Sequence, residues 1–168
     1  MDVAPLLTDL FDRIAPLGHR VVDGLAPERL VEAPRPFTNT IGWLVWHTGR
    51  VQDAQVAPLL DADQLWATGE WAGRMGLPAD PRDTGYGHTP EQVEDVRPPD
   101  GRVLVDYLDA VADRTRDYLA GLGPDDLDLV VDDRWDPPVT LGVRLVSIAG
   151  DCLQHLGQAA YVRGLLEA

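Results

Sequence analysis

Apolar residues recur every three or four positions in four stretches of the chain, the pattern of helices that bury one face. Val3, Leu7, Leu10, Ile14, Leu17 and Val21 form the first stripe, with Pro16 placed to kink it. The second stretch runs from about residue 40 to 60 and aligns Leu44, His47, Val51 and Ala54. In the third, "GRVLVDYLDAVADRTRDYLAGLG", Leu104, Leu108, Val111, Thr115, Tyr118 and Leu122 share a face, and Gly123 supplies a stop. The last begins near residue 140 and runs to the end. Threonine stands where an N-cap belongs in both "NTIGW" and "VTLGV".

These stripes predict an all-α chain, one domain over residues 1–168, folded as a single four-helix bundle. A long connection rich in glycine and proline joins helices two and three, over about residues 68–100. Its length suggests that it covers something or reaches across the bundle. The "DLVVDDRWDPPV" segment reads as an irregular bridge with at most a short extended piece, and no series of strands could build a sheet.

Two polar positions break the apolar pattern of the last helix. In "GDCLQHLGQAAYVRG", Asp151 and His155 are four residues apart and project from one face, about 40° apart. Arg144, Ile148, Ala159 and Val162 fall on the same side, so this face is largely apolar. His47 lies on the buried stripe of the second helix. An exposed Asp–His pair is the plainer reading of the first two, and a core histidine that of the third. Read together, two helices each aim a metal-capable group inward. A mixed N and O set of three suits a divalent ion and leaves a position for water or substrate.

The other candidates are weaker. His88, in "DTGYGHTPEQ", is a loop histidine that either faces solvent or reaches the mouth of a site. Arg144 could bind a carboxylate of substrate or thiol, although a surface arginine near a helix start is the simpler reading. Arg50 is a further cofactor-binding candidate, or an i, i+3 partner of Asp53 beside the site. His19 falls off its stripe and is expected to be exposed. Cys152 points away from Asp151 and reads as a small core residue. Trp43 and Trp46 are expected to face different surroundings, one of them under the long loop.

Composition narrows the partners. The chain of 168 residues carries 28 Asp and Glu against 14 Lys and Arg, a net charge of -14, which argues against nucleic acid or an anionic membrane. Every basic residue is arginine, so lysine Schiff-base chemistry is excluded. One cysteine fits a reducing compartment, and no run is long and apolar enough to span a bilayer, so a cytoplasmic location is expected. A homodimer is compatible with this composition.

The second-helix segment "GWLVWHTGRVQD" and the closing "QHLGQAAYVRGLL" resemble the DinB-like superfamily of four-helix-bundle metalloproteins. The nearer likeness is to its actinobacterial branch of mycothiol-dependent enzymes, including the maleylpyruvate isomerases. The resemblance implies one histidine ligand on the second helix and a pair four apart on the last, hence His47, Asp151 and His155. Many members carry histidine where this chain has Asp151; the isomerases carry glutamate, one methylene longer. It further implies zinc as the ion, with nickel, iron or manganese as options, and a mycothiol-like thiol as cosubstrate. The implied function is transfer of that thiol to an electrophilic small molecule, or isomerisation of one. A non-catalytic metal-binding bundle and a hydrolase using bound hydroxide are the alternatives.

Overall fold

A computed structural model describes residues 2–167. Helix α1 (Val3–Phe11) is capped by Asp2, and α2 (Ile14–Val22) follows after two residues. The continuous first helix expected from the apolar stripe is therefore broken. Pro16 sits in the first turn of α2, where its missing N–H costs nothing, and its ring excludes a helical carbonyl four residues earlier, at Asp12. The kink expected at Pro16 becomes a break just upstream of it.

After a short α3 (Pro27–Leu30) comes α4 (Ile41–Val56), capped by the Thr40 hydroxyl, which accepts from the Trp43 N–H at 3.1 Å. The connection that follows contains three short helices, α5 (Leu65–Thr68), α6 (Trp71–Met75) and α7 (Pro90–Asp95). Helix α8 (Gly101–Leu119) ends a turn before Gly123, with the Ala120 and Gly121 N–H groups already bonded back to its last carbonyls. Helix α9 (Leu141–Glu167) is the longest, and the Thr140 hydroxyl accepts from the Val143 N–H at its start. Among the described residues the only strands are Val130–Asp132 and Val139–Thr140, an antiparallel ribbon inside the segment expected to be irregular. The chain is mostly helical, as expected.

Helices α8 and α9 both pack on α4 and on α2, and α1 packs on α8. Side chains of α4 divide between two surroundings. Gln52 turns toward the other long helices, its amide donating to Thr115 Oγ1 at 2.8 Å, and on the same side the Cys152 thiol of α9 donates to the backbone carbonyl of Thr48 at 3.7 Å. Trp43, His47, Arg50 and Asp53 recur at helical spacing on another face, and each bonds the long connection. This explains why α4 is buried nearly all round.

It also corrects the expectation for the tryptophans. Trp43 and Trp46 are both buried and both lie beneath the 85–88 turn, with His88 bonded to one ring and stacked on the other. Residues three apart on a helix are only about 60° apart around it, so one covering loop reaches both.

Candidate metal centre

The α4–α9 contact brings His47, Asp151 and His155 together, with one ligand atom of each within 4.8 Å of the others. His47 Nε2 faces Asp151 Oδ2 at 4.0 Å, and His155 Nε2 faces Asp151 Oδ1 at 3.6 Å. Both gaps are too long for hydrogen bonds. They suit atoms that converge on a common ion bonded at about 2.0–2.2 Å to each.

The other nitrogen of each imidazole is already committed. His47 Nδ1 bonds the Thr84 carbonyl, and His155 Nδ1 bonds the Gln158 side-chain oxygen at 3.1 Å. A carbonyl accepts only, so Nδ1 carries the proton on His47 and the lone pair lies on Nε2, toward Asp151. The same assignment follows for His155 when the Gln158 oxygen is its partner. Metal-binding histidines are held in this way, with the second N–H given to an oxygen that fixes tautomer and ring. Trp43 stacks on the His47 ring at 4.6 Å and 11°, and the two imidazoles meet edge to face at 4.6 Å and 82°.

Asp151 Oδ2 supplies the clearest test of fit. It is buried and has no hydrogen-bond partner. An orphaned carboxylate oxygen is costly unless a cation serves it. The donor set and this unserved oxygen together fit a divalent metal.

Charge in the cluster is set by these contacts. Burial pushes the His47 pKa down, so the ring is neutral and able to ligate near neutral pH. The contact with Asp151 raises the His155 pKa, and the contact with His155 lowers that of Asp151. Cys152 is fully buried and its thiol is pushed well up by burial.

The long connection provides a second layer that the sequence did not disclose. Asp83 Oδ1 accepts from the Gly85 N–H at 3.1 Å and bonds His88 Nε2 at 2.9 Å. His88 Nδ1 accepts from Trp43 Nε1 at 3.1 Å, so both of its nitrogens are engaged. His88 thus clasps the turn over His47 and is largely buried, where solvation was the simpler expectation. Thr84 and Asp83 could not have been found by spacing, since neither lies on a helix.

The arginines lie elsewhere in the network. Arg50 is completely buried, donating to the Asp83 and Pro81 carbonyls, to Gln64 and to the Tyr107 hydroxyl. Its guanidinium is committed to holding the connection onto α4. Arg144 bonds Gln55 at 3.0 Å and Asp132 at 2.9 Å, which ties α9 to the ribbon, and makes no hydrogen bond to the cluster. His19 is half-exposed and bonds Asp109 at 2.9 Å.

Gly85 is where the second layer meets His47. Its φ of +88° lies in the left-handed region, and a Cβ there would stand 2.9 Å from His47 Nδ1. Gly85→Ala is expected to cost about 1–3 kcal/mol in strain. It should also weaken metal binding roughly 10–100-fold by displacing the support of His47. Gly87→Ala shares the positive φ but meets nothing within 4 Å, so it should lose stability while retaining metal affinity. Equal metal affinity in the two variants, measured by competition with a chromophoric chelator, would count against the role given to Thr84.

Among solved structures, a conserved protein from Enterococcus faecalis is similar, with a TM-score of 0.89 and 34% identity over 98% of this chain and 97% of that one. No curated protein matches. A model of the DinB superfamily matches residues 11–159, the span that runs from α1 through all three cluster residues. The chain belongs to the DinB superfamily.

Proposed function

We propose that the protein is a divalent-metal-dependent enzyme that activates a low-molecular-weight thiol, of the mycothiol kind, for transfer to or isomerisation of an electrophilic small molecule. One observation carries the metal-dependent part: two imidazoles with Nδ1 committed turn Nε2 toward the two oxygens of the Asp151 carboxylate, one of which is buried with no hydrogen-bond partner. Two imidazoles and one carboxylate suit zinc first, and also iron, nickel or manganese. A divalent ion held there supplies Lewis acidity that favours the ionised form of a thiol or water at neutral pH.

The chain's own residues hold both rings in their ligating tautomer and shield His47 with Trp43 and the 83–88 turn. They offer no cysteine nucleophile, because Cys152 is wholly buried and bonded to the Thr48 carbonyl. An external thiol fills that role. In this reading α1 with α2, α4, α8 and α9 are the four members of a bundle, and the site lies between the second and fourth. A charge of -14 and a single cysteine favour small-molecule partners in the cytosol over nucleic acid.

Protein purified without chelator is expected to carry a stoichiometric divalent ion by elemental analysis, and His47→Ala to lose it. Metal absent from both would overturn the reading. Conjugation of a thiol to a panel of electrophiles should require both metal and thiol. Turnover without added thiol would instead support hydrolysis, and bound metal without turnover a non-catalytic bundle.

A further inference from the structure

A groove of about 730 Å³ runs between the C-terminal part of α9 and the segment that leads into α4. Its volume is typical of small-molecule sites. Its lining includes Leu44, one turn before His47, and Gln158, whose side-chain oxygen bonds His155 Nδ1 at 3.1 Å. The groove therefore begins at the outer support of the candidate metal centre and follows α9 away from it, past Tyr161 and Val162.

Two aromatic side chains on different segments of the lining face water, Phe37 at 82% exposure and Tyr161 at 69%. Phe37 has a φ of +63°, a region in which an aromatic residue is strained. A turn holds it there: the Thr38 hydroxyl donates to the Arg35 carbonyl at 2.7 Å. Strain maintained at an exposed aromatic beside a groove points to recognition rather than packing.

The charge of the lining is unusual for this chain. It contains no Asp or Glu, although the sequence has 28. Its one charged residue is Arg35, whose guanidinium makes no hydrogen bond or ion pair among the described residues. By contrast Arg13, Arg29, Arg74, Arg116 and Arg134 each hold a carboxylate. An anion is repelled by most of this surface and has an unpaired guanidinium to meet here.

We propose that this groove binds the electrophilic substrate, and that the substrate is a small planar apolar acid. Its carboxylate meets Arg35, its apolar body lies against Phe37 and Tyr161, and its far end reaches Gln158, the outer support of His155. The reaction of such a substrate rests on the metal-centre reading; its binding does not.

Isothermal titration with 2-naphthoate and with its neutral counterpart 2-naphthalenemethanol tests this directly. Wild type is expected to prefer the acid about tenfold. Arg35→Gln should abolish that preference, and Tyr161→Ala should weaken both ligands; both side chains are exposed, so folding is not at issue. Chelator-treated wild type should bind 2-naphthoate unchanged. Equal affinity for acid and alcohol, or a preference that survives Arg35→Gln, would overturn the proposal. So would loss of 2-naphthoate binding on chelation, which would place the carboxylate at the metal. A wild-type dimer that fails to bind 2-naphthoate and dissociates on Tyr161→Ala would assign the groove to a second copy. Wild type that holds no metal yet binds 2-naphthoate through Arg35 would sink the metal reading and leave the groove assignment standing.

Discussion

Replacing Asp53 with alanine is expected to destabilise the fold by about 3–5 kcal/mol, the largest effect of any single substitution outside the apolar core. Asp53 is buried and accepts from the Leu65 N–H at 3.0 Å, the Trp66 N–H at 2.8 Å and the Tyr107 hydroxyl at 2.8 Å. The same hydroxyl accepts from Arg50 Nη1 at 3.2 Å, so Tyr107 relays the pair, whose charged atoms stand 3.6 Å apart. Burial and the Asp53 carboxylate push the Tyr107 pKa up, which keeps the hydroxyl a donor.

Removing Asp53 leaves a buried guanidinium without its counter-charge and three donors without an acceptor. Asp53→Asn keeps the shape but turns an acceptor into a donor facing N–H groups, so it should recover little of the loss. A fall in Tm of roughly 10 °C follows for a chain of this size. Arg13→Ala, which removes an exposed pair with Asp9, should leave stability unchanged. Urea melts of the three variants check this, and a loss below about 1 kcal/mol for Asp53→Ala would show that the network is decorative.

Arg50 and Asp53 also mark the limit of what the sequence discloses. Periodicity finds the long helices because each buries one continuous face, and it places His47 inward because Leu44 and Val51 flank it at helical spacing. The i, i+4 spacing of Asp151 and His155 brings both to one face of α9 wherever that helix sits. The same logic treats Arg50 and Asp53 as a local i, i+3 pair beside the site, since it has no view of what lies opposite. Their partners, Gln64, Pro81, Asp83 and Tyr107, come from two loops and another helix. No period relates them. The support of His47 by Thr84 is hidden for the same reason, as is the second buried side of α4 that shelters both tryptophans. What the hydrophobic pattern encodes is the packing of long helices; what folds the connection back over the site is a set of directed polar bonds.

Asp151→Ala separates a metal centre from an ion pair by the sign of its pH dependence. In chelator Asp151 and His155 act as an ion pair. His155 has a raised pKa in the fold, so its contribution is complete below the unfolded value of 6.5 and is lost as pH rises through the folded value. Asp151 has a lowered pKa, so its contribution is present above 3.8 and is lost as pH falls through the folded value. The pair therefore supports the fold most in mildly acidic solution, and less once pH rises through the folded value of His155. Without metal, Asp151→Ala should lower Tm more near pH 5.5 than at pH 8.

Bound metal reverses this trend. Both imidazoles must be neutral to ligate, and His155 must release a proton that Asp151 helps it to hold. Wild type should gain about 2.7 kcal/mol from zinc at a hundredfold excess over Kd, roughly 5–10 °C in Tm. That gain should be larger at pH 8 than at pH 5.5, where protons compete for His155. Asp151→Ala should lose it at both values if, as proposed, the carboxylate with the unserved oxygen is a ligand of the ion. Thermal shifts at two pH values, with zinc and with chelator, give the four comparisons. A zinc-induced shift that survives Asp151→Ala would remove this carboxylate from the ligand set and leave His47 and His155 as the anchoring pair.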